Sequence, residues 1–279
     1  NRRVARVGLA VVGHPSSLEG QQPGGFKLGL KAHKLGLGGR TKPRHSPIVR
    51  GDAVGTEQLT GSLQGRPGHP AGHRCHDRPG VVEGLELIGS TQVQGRATMV
   101  GNLCNGSPAA DSVPALCAAD ATVRIHGVEG ERECSILDVP AGPGRTSLAK
   151  GDIITSVFLP ARPANASDAY LRFIPRTEMD IAVASAGVSL ELDGDGVCTK
   201  ARVALGAVAP TVLLVEEAGA ALVGTRLDAE TLDVMVQAAE AACAPSTDKR
   251  GTIEFRTKTA GVLAKRAALI AYARAGGRS

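Results

Sequence analysis

The 279 residues carry 32 Lys+Arg against 27 Asp+Glu, a formal net charge of +5, with 42% hydrophobic and 21% charged residues; this is the balance of a globular protein long enough for two modest cores. Two percent aromatic residues and no Trp exclude aromatic stacking as a major theme, and no run approaches eighteen uninterrupted apolar residues, so no membrane span is expected. Six cysteines, at 75, 104, 117, 134, 198 and 243, form no C-x-x-C pair, which argues against a disulfide framework or thiolate cluster and for small buried thiols.

The charge is uneven. Residues 1–87 hold 13 Lys+Arg and 6 Asp+Glu, six of the seven His and 17 of the 36 Gly, while the remainder holds 19 and 21 charged residues of each sign. Asn1-Arg2-Arg3 leads into a brief apolar run, Val7 to Val12, without a small-residue cleavage site, so a cytoplasmic chain is expected. Residues 36–89 lack sustained period-2 or period-3.6 patterning and are dense in Gly, Pro, Arg and His. Three readings stay open for 1–87: coding sequence translated out of frame, a divergent folded lobe, or a disordered basic arm. Dilution of the charge by Gly and Pro, without aromatic interleaving, argues against nucleic acid. His69, His73, Cys75 and His76 approach metal-ligand spacing but sit beside Gly and Pro without a scaffold, so a solvated loop is expected and no metal site.

The run Ala97 to Asp111 is the most chemically loaded stretch. Gly101 offers close backbone approach, Asn102 an amide, Ser107 a hydroxyl and Asp111 a carboxylate, the parts that a diphosphate and sugar-like hydroxyls require. A short helix is expected from Asp111 or Ser112, tolerating Pro114 in its first turn, with Asp111 either its cap or a ligand. Thr122–His126 and Ile153–Leu159 read as strands, the second ended by Pro160, and Tyr170–Phe173 as a third. Val188, Leu190 and Leu192 alternate with polar residues, turn at Asp193-Gly194-Asp195-Gly196 and alternate again through Leu205, a hairpin with one buried face. Asp228 is placed to cap a helix burying Leu232, Met235, Val236 and Ala239, and a last helix from about Glu254 is expected to turn Val262, Leu263, Ala267 and Ile270 inward.

Thr98-Met99-Val100-Gly101-Asn102-Leu103, followed by Ser107-Pro108-Ala109-Ala110-Asp111, resembles the Thr-Ile-Gly-Gly-Asn-Leu and Ser-Pro-Ala-Ala-Asp signature of the flavoprotein subunits of the xanthine dehydrogenase and carbon monoxide dehydrogenase family, the molybdenum hydroxylases. The likeness continues through Gly130-Glu131-Arg132, Gly142-Pro143-Gly144-Arg145-Thr146, Asp152-Ile153-Ile154, Arg176 with Asp180-Ile181-Ala182, Leu205 to Pro210, and Asp248-Lys249-Arg250 before Phe255-Arg256. It covers about residues 88–274 and implies an α+β fold: a p-cresol methylhydroxylase-like FAD-binding domain over 88–165 and a small C-terminal α+β domain over 166–279. Residues 1–87 stand where the family carries its first FAD lobe, but neither Pro23-Gly24-Gly25 nor Gly38-Gly39 reproduces its Ala-Gly-Gly-Thr loop.

By the same resemblance the cofactor is FAD, with Thr98, Gly101 and Asn102 around the diphosphate, Ser107 and Asp111 toward flavin hydroxyls, Ile154 against the isoalloxazine ring and Arg172 near it; no residue is assigned as catalytic. Val100 replaces the commoner Gly and is expected to narrow the approach to phosphate oxygens. The implied partners are a molybdopterin-containing large subunit and a 2Fe-2S small subunit in a hetero-oligomer, with no nucleic acid and no membrane. The alternatives are a stand-alone flavin oxidoreductase of the p-cresol methylhydroxylase-like group and a defective paralogue acting as a scaffold.

Overall fold

The computed structural model describes residues 3–5 and 10–11 by their backbone, and residues 77–277 other than 95 and 178. The His69, His73, Cys75 and His76 cluster and the glycine pairs at 24–25 and 38–39 lie outside the described residues.

Two hydrophobic clusters organise the described chain. The first lies among β1 (Arg3–Ala5), β2 (Ala10–Val11), α1 (Pro79–Glu86), α2 (Thr91–Gln94), α3 (Met99–Cys104), α4 (Ser112–Ala118), β3 (Thr122–Gly127), β4 (Gly130–Ser135), a 3-10 turn at Ile136–Asp138, the small pair β5 (Pro140–Gly142) and β6 (Arg145–Thr146), and β7 (Ile153–Leu159). Its sheet runs β1-β7-β3-β4, with β2 also on β7, all antiparallel. The second cluster lies between an antiparallel sheet ordered β11 (Leu213–Leu214), β10 (Cys198–Gly206), β9 (Ala184–Leu192), β8 (Ala166–Phe173) and the helices α5 (Glu216–Leu222), α6 (Ala229–Ala242) and α7 (Ile253–Arg274).

The strand period of two decides which residues can meet. On β8, Ala169 and Leu171 face the second cluster while Tyr170 joins the first. Asp168 and Arg172 share the Tyr170 face and reach α1, α4 and the chain between them. The β9–β10 hairpin pairs Val188 with Val203, and Asp193 Oδ1 closes its turn by accepting from the amides of Asp195 and Val197. Asp228 caps α6 as expected, its Oδ1 accepting from Thr231 N.

Two elements differ from expectation. Helix α1 forms where no periodicity was read, burying Val81 and Leu85. Its glycines are close-packing residues rather than breakers: a Cβ on Gly80 would come within 2.8 Å of the Ala169 backbone. On α7, Leu263 and Ala267 point inward, but Val262 is exposed and Ile270 only half-buried. The buried stripe is built of Ala260, Ala264, Ala268 and Ala271, which lets the helix lie close to the sheet and turns Val262 away from it.

Asp168 ties the two halves. It is 1% exposed, its Oδ1 accepts from Gly80 N at 3.2 Å, and its Oδ2 has no hydrogen-bond partner among the described residues. Burial pushes its carboxyl up to about 6, opposed by Arg78 and the Gly80 amide. The folded value lies above the unfolded one, so the native state holds the extra proton and stability falls as pH rises from about 4 to about 6, by about 3 kcal/mol from this group. Asp168→Asn is expected to lose that contribution. Urea unfolding of both proteins at pH 4.5 and pH 7 measures it, and an unchanged difference between them at the two pH values contradicts it.

Candidate functional site

Helix α3 starts at Thr98, whose backbone is extended and whose Oγ1 accepts from Gly101 N at 2.9 Å. Met99, Val100 and Leu103 anchor it in the core. Asn102 turns the other way: its Oδ1 accepts from the amide and the hydroxyl of Ser112 at 3.2 and 2.7 Å, which fixes it to the first residue of α4. Ser107 Oγ accepts from Ala109 N. The loop between the helices is clamped from outside by Gly144 N on Gly106 O (2.9 Å) and Ala207 N on Pro108 O (2.7 Å). Ala207 adopts a φ of 65°, an uncommon backbone for a side chain other than glycine.

Asp111 is neither a cap nor solvated, since its side chain makes no capping bond to α4. Oδ2 pairs with Arg172 Nη1 at 2.8 Å and Oδ1 accepts from the Tyr170 hydroxyl at 3.2 Å. Arg172 Nη1 also donates to Leu87 O at 2.8 Å. Both side chains are largely withdrawn from solvent, 8% exposed for Arg172 and 11% for Asp111. Burial pushes the Asp111 carboxyl up, and the Arg172 charge with the Arg172 and Tyr170 hydrogen bonds pulls it back only in part. Burial and the neighbouring carboxylate hold the Tyr170 phenol well above its ordinary value, so it stays a donor. Tyr170, the Leu87 carbonyl and the Gly144 and Ala207 amides were not recognised from sequence as parts of the site. The β8 period, which sets Tyr170 and Arg172 on one face, was the available signal for Tyr170.

Thr98, Gly101 and Asn102 thus fall on α3 and its cap and Ser107 on the loop after it, which leads into the buried Asp111–Arg172 pair. Ile154 stands apart on β7, 0% exposed and paired with Ile125 and Ala10. Val100 is also fully buried, in a helix with ordinary negative φ, so it does not obstruct the approach to the loop. Val100→Gly is accordingly expected to destabilise the protein by about 3 kcal/mol, from lost apolar burial and glycine in a helix, rather than to tighten flavin binding. Denaturant unfolding beside an FAD titration checks this; tighter binding with unchanged stability contradicts it.

Residues 69–162 match the family described as FAD binding domain in molybdopterin dehydrogenase, and residues 169–271 the CO dehydrogenase flavoprotein C-terminal domain. The carbon monoxide dehydrogenase medium chain of Afipia carboxidovorans is 39% identical over 197 residues, 71% of this chain and 68% of that one. The chain belongs to the flavoprotein subunits of the molybdenum hydroxylases. A putative xanthine dehydrogenase FAD-binding subunit of Escherichia coli is 29% identical over 201 residues, 72% of this chain and 68% of that one. Reconstituted CO dehydrogenase from Oligotropha carboxidovorans superposes with a TM-score of 0.71 at 34% identity, over 80% of this chain and 74% of that one. Membership makes the chain an oxidoreductase subunit with FAD as cofactor, and the two matched regions correspond to the two hydrophobic clusters.

The described residues fit that cofactor. Apart from its own helix, a Cβ on Gly101 would meet only Thr98 Oγ1, at 2.8 Å, so this face of α3 carries no side chain that would keep a bulky anion away, although Gly101 N is itself held by Thr98 Oγ1. Asn102 Nδ2 has no acceptor among the described residues while its Oδ1 is held by Ser112, which leaves a preset pair of donors. The Ser107 hydroxyl proton is likewise free to donate, and each Asp111 oxygen keeps a further acceptor site for a hydroxyl.

Proposed function

We propose that this molybdenum hydroxylase flavoprotein subunit works in a cytoplasmic hetero-oligomer with a molybdopterin-containing large subunit and a 2Fe-2S small subunit, relaying electrons to a terminal acceptor. The observation that carries the site assignment is the segment from Thr98 to Asp111, which offers a helix face bare of a side chain at Gly101 and the oriented Asn102 amide at one end and a buried carboxylate–guanidinium pair at the other. FAD, when bound, supplies the conversion of single electrons into pairs. Gly101 and Asn102 bind its diphosphate. Ser107 and Asp111 hold hydroxyls of the chain linking phosphate to ring. Arg172, fixed by Asp111 and Leu87 O, keeps a positive charge buried beside the ring, where it favours added negative charge. Ile154 supports the ring from the β7 side through the core. The match of residues 169–271 to the CO dehydrogenase flavoprotein C-terminal domain favours the subunit reading over a stand-alone flavin oxidoreductase. The free thiols at Cys104, Cys117, Cys134, Cys198 and Cys243 suit a reducing compartment.

The test is co-purification of the tagged chain from its native host. The expected result is a complex containing molybdenum, iron and flavin in which an oxidisable substrate bleaches the flavin band near 450 nm. A flavin-bearing chain that purifies alone, and is reduced directly by a small donor, contradicts the subunit assignment.

A further inference from the structure

Away from the flavin loop, a cavity of about 120 Å³ lies between the end of α4 and the face of the β9–β10 hairpin. Its polar lining is Arg78, Asp120, Ser189, Glu191, Lys200 and Arg202. The period of two on β9 and β10 brings the last four onto one sheet face. Arg202 is spent on its neighbours: it donates to Cys117 O at 3.0 and 3.2 Å and pairs with Asp120 at 3.2 Å. That neutralises both the carboxylate and the carbonyl end of α4. Lys200 faces Glu191 at 3.7 Å.

Arg78 is left over. It is 6% exposed, yet among the described residues only one of its five N–H donors, on Nη2, is used, on Pro160 O at 2.9 Å, and its buried Nε has no partner. Burial drives the guanidinium pKa down; Asp168 and, more weakly, Glu191 and Asp120 lie near enough to favour its charge, but none makes an ion pair with it among the described residues. Arg162 compounds the imbalance: it donates to Ala166 O, its own Nε is buried without a partner, and it disfavours the Arg78 charge. A buried guanidinium without a carboxylate in direct contact, beside a second half-buried cation, is costly unless something anionic completes it.

We propose that this cavity binds a small oxyanion, seated on Arg78 between the flavin-domain side and the second sheet. The space is well below the roughly 300–1,000 Å³ of small-molecule pockets, so the occupant is a free ion rather than the phosphate of a nucleotide. The site does not depend on the flavin assignment.

Inorganic phosphate and AMP are the probes, titrated into the full chain at constant ionic strength and followed by calorimetry and phosphorus NMR. Phosphate is expected to bind saturably at one site and to raise the melting temperature, with AMP at least about tenfold weaker. Arg78→Met should lower phosphate affinity at least about tenfold, and Glu191→Gln, which removes a lining negative charge, should raise it about threefold, with flavin absorbance unchanged in the latter. If Arg78→Met fails to fold, the gain in Glu191→Gln carries the test. Unsaturable binding, an identical response in Arg78→Met, or no gain in Glu191→Gln overturns the site. AMP binding as tightly as phosphate overturns the assignment to a free ion.

Discussion

Asp111→Ala is expected to cost the fold about 3 kcal/mol and to release flavin from the protein that still folds. The carboxylate is the only anionic partner of Arg172 among the described residues, and it also receives the Tyr170 hydroxyl, so its removal leaves a buried charge without its counter-ion, held by Leu87 O alone, and takes an acceptor from a buried hydroxyl. Arg172 then lacks the group that fixes its guanidinium, and the charge proposed to lie beside the ring is no longer held in place. Asp111→Asn keeps an acceptor for Tyr170 and should lose less stability but a comparable share of flavin. Adding Arg172→Met to Asp111→Ala should recover stability without recovering flavin, since an absent charge needs no partner. Urea unfolding and the flavin-to-protein absorbance ratio measure the two effects. An alanine variant within about 1 kcal/mol of the parent and fully flavinated contradicts the assigned role.

Gly187→Ala should be comparably damaging although the position contributes no side chain to the candidate site. A Cβ there would lie 2.6 Å from Pro114 O, 2.8 Å from Pro114 C and 2.9 Å from Ala115 N, all backbone atoms of α4 that cannot rotate aside. The helix must lift from the sheet, at a cost of about 3 kcal/mol and roughly 10 °C in melting temperature. Because Asp111 leads directly into α4, flavin affinity should fall with it. A melting temperature within about 2 °C of the parent contradicts the close-packed contact.

The legible parts of the sequence were those where local pattern and tertiary role agree. Ile153–Leu159 was readable because an apolar β-branched run ends at Pro160, and Asp228 because a capping residue precedes a helical stripe. The loop residues were legible through chemistry and resemblance. What stayed hidden depends on partners distant in sequence. Gly80 reads as a helix breaker until β8 is seen to lie against it. Asp111 reads as a cap or a ligand, and nothing local shows that the β8 register turns Arg172 and Tyr170, about sixty residues away, onto its carboxylate. Val100 reads as an obstruction because local sequence does not say which face of a six-residue helix is buried. The Gly144 and Ala207 amides carry no side-chain signal at all, although both fall in segments that resemble the family.

The central claim is that the Thr98–Asp111 loop cradles FAD, and Gly101→Ala tests it most directly because its effects on folding and binding separate. Alanine favours the helix by about 1 kcal/mol over glycine, while its Cβ, 2.8 Å from Thr98 Oγ1, disturbs a cap of about the same value, so stability should scarcely change. The same methyl group stands on the face of α3 that the proposed site turns to the diphosphate. Fluorescence titration of the apoprotein with FAD should show affinity lowered at least about tenfold, with the melting temperature of the apoprotein within about 2 °C of the parent. Unaltered FAD affinity in a stable Gly101→Ala protein would place the diphosphate elsewhere and contradict the account.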